Sequence, residues 1–159
     1  MEVNIADQYH RDCVSMQTPR YSQFGFVAQT ESDRKKLCST FERQHLRVSV
    51  MGVDSVRESV SQHPNVADHL MQKYRLTWLD ETFEAPPAVM KALHANASMA
   101  RPVIGDRGLT TTVSECVAET GLEQLYTPES KYTSRKSRFG NQNRSTMVVP
   151  LAHSKTFIG

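Results

Sequence analysis

The sequence predicts a mainly α fold: a small helical domain with one or two short strands over residues 1–127, followed by an extended basic C-terminal arm over 128–159. Three observations predict it. Apolar residues recur at three- and four-residue intervals in successive segments up to Gly121. Periodicity stops at Thr127-Pro128-Glu129-Ser130. Acidic residues stop there as well: residues 1–129 carry 13 basic and 17 acidic side chains, a balance of −4, while 130–159 carry six basic and no acidic ones. An asymmetry of that kind marks an arm that meets an anionic partner.

The elements follow in chain order. Ile5, Tyr9 and Cys13 recur every fourth residue, predicting an amphipathic helix over 4–16 that Pro19 ends. The aromatic stretch from Pro19 to Thr30 suits a strand or ordered loop. Helical spacing returns through Leu37 and Phe41 over 32–43. Leu46, Val48 and Val50 alternate with polar residues, which predicts a short half-buried strand ending near Gly52. Val53, Val56 and Val60 step at helical intervals, and a further helix begins at Asn65 as cap with Val66, Leu70 and Tyr74 as its stripe. Pro86-Pro87 opens a helix to Ala97, since proline fits a first turn. Thr112 and Glu115 form a capping box, and Gly121 closes that last helix. The expected core includes Leu70, Tyr74, Trp78, Phe83, Leu93, Val113 and Val117.

Composition narrows the function classes. No apolar run approaches the roughly 18 residues of a membrane helix, and Met1 to Ile5 lacks a signal-peptide pattern, so the chain is expected to be soluble and cytoplasmic. Cys13, Cys38 and Cys116 are odd in number and widely spaced, which favours reduced thiols over a disulfide framework. His10 with Cys13 and Cys38 with His45 supply zinc-ligand types, but the second spacing is loose and no metal or cofactor is expected. Catalysis is not expected either. The sequence has no nucleophile elbow, zincin, Walker or dinucleotide motif, and the neighbours Asp68 and His69 point about 100° apart on a helix. Asp80, Glu81 and Glu84 read as a solvated acidic surface, and Gly105 to Gly108 as a turn. A helix-turn-helix over 117–130 fails because Pro128 would fall inside its recognition helix.

Phe24-Gly25-Phe26-Val27 resembles the central positions of the RNP1 signature in RNA-recognition motifs and is similar to the Phe-Gly-Phe-Ile run of cold-shock domains. The resemblance implies bases stacking on Phe24 and Phe26, with Arg20 and Tyr21 beside them. It covers four residues. Ser22-Gln23 stand where a basic residue and glycine belong, and 23 residues are too few for the strand, helix and strand that precede the signature, so ordinary core aromatics are the favoured reading.

The functional expectation therefore rests on the arm. A non-enzymatic assembly or adaptor protein, built like a small virion or phage component and incorporated in a virion, would dock into a larger assembly with an acidic or grooved surface. Its contacts would be Lys131, Arg135, Lys136, Arg138 and Arg144, with Val148, Leu151, Phe157 and Ile158 as apolar anchors. The alternative is a sequence-nonspecific DNA- or RNA-binding protein that uses the same basic residues on phosphates and Phe24 and Phe26 for stacking. No membrane partner is expected.

Overall fold

In the computed structural model the described residues are 3–53, 56–106, 108–109, 112–136 and 144–153. Helix α1 (Gln8–Gln17) begins at Asp7, whose side chain accepts from the His10 amide, and ends where the Thr18 amide bonds Val14 O. It starts later than the spacing predicts because Val3 and Ile5 are buried in an extended segment, with Asn4 bridging Glu84. The stretch after Pro19 becomes a single helical turn, α2 (Arg20–Gln23), and then strand β1 (Phe26–Ala28). Helix α3 (Glu31–Arg43) is capped by Thr30, and strand β2 (Val50–Gly52) pairs parallel with β1. The expected strand at 46–50 thus forms later, and the valines at 53, 56 and 60 lead into a 3-10 turn at Glu58–Ser61.

The second half is built on one larger sheet. Helix α4 (Asp68–Lys73) leads through left-handed Arg75 to β3 (Thr77–Trp78). After a 3-10 turn (Leu79–Glu81), α5 (Pro87–Ala97) starts on proline as expected, and β4 (Val103–Ile104) returns antiparallel to β3. Helix α6 (Val113–Thr120) then crosses to β5 (Gln124–Tyr126), which lies parallel to β4. Gly121, at φ 70°, ends α6 with its amide on Val117 O, a left-handed position that suits glycine. Strands β6 (Ser130–Lys136) and β7 (Arg144–Pro150) complete the antiparallel run, giving the order β3-β4-β5-β6-β7.

The mainly α expectation is therefore corrected. The protein is a mixed α and β fold in which a two-stranded and a five-stranded sheet carry the architecture, and the expected extended arm supplies two strands of the larger sheet, at Ser130–Lys136 and Arg144–Pro150. The compositional break at Thr127 to Ser130 is the turn between β5 and β6. Buried Thr127 closes it, its amide bonding Ser130 O and its hydroxyl oxygen accepting from the Ser130 amide.

Strand alternation divides the core. Val103, Leu125 and Tyr132 face α6 and the end of α4, packing with Tyr74, Val113 and Val117. Ile104 and Tyr126 face the opposite way, toward Cys13 and Val14 of α1 and Leu93 of α5. Of the expected core, Tyr74, Phe83, Leu93, Val113 and Val117 are buried, while Leu70 and Trp78 are partly buried against it. Buried Gly105 holds β4 against Leu109, whose side chain occupies the space a Cβ would need.

Candidate association surface

The sheet ends on β7, and this edge is the most exposed apolar feature of the larger sheet. Seven register pairs join β7 to β6, from Ser130 with Pro150 to Lys136 with Arg144, and no described strand lies on its other side. Met147 is 63% exposed and Val148 51%, with Val149 beside them. Alternation sends Val148 to the α6 side and Met147 and Val149 to the other, so from Met147 to Val149 both faces of the strand are apolar and exposed, while Arg144, Ser145 and Thr146 make its first half polar. Helix α6 stops short of β7. The gap is a groove of about 380 Å³ lined by Val113, Val117, Ala118, Tyr132, Thr146 and Val148.

The structure distributes the expected arm residues unevenly. Val148 lies on the open edge. Leu151 is tied back to the body, its amide bonding Glu129 O and its side chain packing on the core that holds Tyr126. Lys131 also turns inward: its ammonium donates to Gln17 Oε1 at 3.0 Å and sits 5.3 Å from the centre of the Tyr126 ring. Burial holds its pKa below the usual lysine range. Arg135 is exposed on β6. Lys136 and Arg144 pair with each other at the far end of the hairpin. Arg138, Phe157 and Ile158 lie outside the described residues.

Among the aromatics the favoured core reading is reversed. Phe24 is 69% exposed and Phe26 49%, and the Phe26 ring lies against that of Phe41 on α3, centroids 5.3 Å apart. Arg20 is exposed on α2, the helix that also carries Tyr21.

The polar clusters are structural in character. Asp80 is not part of a solvated surface, unlike exposed Glu81 and Glu84. Its carboxylate is nearly buried and accepts from His63 Nε2 at 2.8 and 2.9 Å and from His94 Nε2 at 3.1 Å. A carboxylate only accepts, so both imidazoles carry a proton on Nε2. His63 also stacks on Trp78 at 4.3 Å, and the cluster ties the segment before α4 to α5. Sequence gave no signal for it, since the three residues are 14 and 17 positions apart. Cys13 is buried near Tyr9, whose hydroxyl donates to Gly105 O, and burial raises both their pKa values. Cys116 is pushed up to about 11, chiefly by burial. A cleft of about 350 Å³ beside Tyr9 holds Asp7, His10, Arg75 and Asp106, but Asp7 caps α1 and Asp106 accepts from the Gly108 amide and faces Arg75 at 3.5 Å.

The arrangement of two sheets with helical crossovers has a counterpart among solved structures. The chain matches the crystal structure of the hinge domain of S. pombe Smc5/6 with a TM-score of 0.79 over 98% of its residues, at 12% identity. It has that fold. In sequence it is 23% identical over 147 residues to structural maintenance of chromosomes protein 5 of Arabidopsis thaliana. The alignment takes in 92% of this chain but only 14% of that protein, and the structural match takes in 60% of the solved chain. No family model matches. Both likenesses fall on chromosome-maintenance proteins, which overturns the expectation of a virion or phage component and of a place in a virion. Membership of a larger protein assembly is compatible with them.

Proposed function

We propose that this chain is a hinge-like association module of a chromosome-maintenance protein, joining a second hinge-like chain along the outer edge of β7. The observation that carries the reading is the edge itself: seven residues long, without a described strand beside it, and apolar on both faces from Met147 to Val149. An uncovered hydrophobic edge strand is a template for another strand, and proteins that do not use such an edge blunt it with charge, proline or a covering element. Here Pro150 stands only at its end, so the central residues remain available. A partner strand would gain backbone hydrogen bonds along β7, and its side chains on the α6 side would fill the adjoining groove. The role is non-enzymatic, because it consists of binding alone. DNA is compatible with the same likeness, and exposed Arg135 is the β6 side chain we assign to a phosphate contact.

Sedimentation tests the reading on the chain alone and on the chain co-expressed with a hinge-like protein of the same source. A dimer in at least one of the two, weakened about tenfold or more by Val148→Lys, is the expected result. A chain that stays monomeric in both, or an association indifferent to lysine at Met147 and Val148, overturns it.

A further inference from the structure

A second exposed apolar surface lies on the smaller sheet, away from the edge just described. Helix α3 ends in a left-handed residue, His45 at φ 55°, which returns the Leu46 amide to Phe41 O at 2.9 Å. That turn sets Leu46 beside Phe41, as a residue just past a helix end commonly packs on its last turn. Phe41 in turn meets Phe26, and Phe24 precedes it by two residues on the approach to β1. Leu46 and Phe26 are each 49% exposed, so the patch is apolar and uncovered. Its rim is basic. Arg43 and Arg47 flank Leu46, Arg20 lies on α2, and none of the three enters an ion pair among the described residues. Glu42 is the one acid in the stretch from 34 to 53.

We infer that this surface docks an acidic, apolar segment of another protein, with leucine or phenylalanine side chains on the Phe24, Phe26, Phe41 and Leu46 patch and carboxylates on Arg43 and Arg47. Charge selects this occupant over a second copy of the chain. The apolar edge another copy would offer belongs to the β6 and β7 hairpin, which carries basic residues and no acid from Ser130 to Pro150, so its approach sets like charges together. The aliphatic centre of the patch favours it over nucleic acid. Phe26 and Phe41 are tilted by 36° and too close to admit a base between them, and Leu46 has no π face on which a base stacks. Exposed aromatics and arginines around an aliphatic centre are the composition of protein-binding sites.

The test measures fluorescence anisotropy of labelled peptides of about ten residues that alternate glutamate with leucine and phenylalanine, titrated with the full chain. Binding is expected to weaken about tenfold with Leu46→Ser, and as much with the double reversal Arg43→Glu and Arg47→Glu. These positions are exposed, so unchanged melting curves separate loss of binding from loss of fold. Val148→Lys is expected to leave peptide binding intact, which keeps this surface independent of the β7 edge. The inference is overturned if no peptide binds, or if binding ignores both sets of substitutions. It is overturned equally if a single-stranded oligonucleotide binds and responds only to the arginine reversal, or if Leu46→Ser abolishes self-association instead.

Discussion

Asp80 shows how far a side chain's role departs from its neighbourhood in sequence. It stands beside Glu81, which faces solvent, yet its own carboxylate is enclosed by two imidazoles from separate segments. Its removal leaves two half-enclosed N–H donors without their acceptor. Asp80→Ala should therefore cost about 1–3 kcal/mol in a denaturant titration, whereas Glu81→Ala should stay within about 0.5 kcal/mol. Equal effects at the two positions would mean that the His63 and His94 contacts contribute nothing to stability. Lys131 carries the same lesson with the opposite charge. Composition places it at the head of a basic arm, but its ammonium lies on Gln17 and Tyr126, so it is part of the body and not of a phosphate-binding row.

At the scale of elements, helix ends were legible wherever a local rule sets them. Pro87 at the first turn of α5 and Gly121 at the end of α6 both stand where the sequence puts them, because φ preferences act without help from distant residues. The capping box did not form: Thr112 caps α6 at φ −122° and ψ 18° without a side-chain hydrogen bond. Thr30 does make that bond, accepting from the Asp33 amide at 3.1 Å. Thermal melts should accordingly separate two like substitutions. Thr30→Ala is expected to cost about 1 kcal/mol and Thr112→Ala only a few tenths. The strands fared worse for a physical reason. β3 and β4 have two residues each and β1, β2 and β5 three, too few for alternation to register against the helical spacing around them.

For the whole molecule, Lys131, Arg135, Lys136 and Arg144 of the basic C-terminal stretch belong to the larger sheet. β6 donates Tyr132 to the core on the α6 side and completes the edge of β5, while Leu151 packs on the other core. Ending the chain at Glu129 would expose β5 and uncover Leu125 and Tyr126. The expected outcome is a melting temperature lowered by several degrees or loss of a cooperative transition, followed by circular dichroism. A truncated chain that melts like the full one would show that β6 and β7 add little to the fold. The outer strand of the hairpin is apolar from Met147 to Val149 and exposed, which is the feature that the proposed pairing would use.

What the sequence by itself determined is local: the proline and glycine limits of α5 and α6, the start of α3 within a residue of its predicted position, most of the core, and the point at Thr127 where one kind of chain gives way to another. Those follow from dihedral preference, helical spacing and charge count, each of which acts over a few residues. Only the tertiary structure decided that Ser130–Lys136 and Arg144–Pro150 are strands, that Phe24 and Phe26 face solvent, and that His63, Asp80 and His94 meet. Strand pairing is a contact between segments distant in the chain, and an edge or an exposed ring is defined by what fails to cover it. Neither leaves a periodic mark in the sequence, because the partner that would make the pattern lies elsewhere.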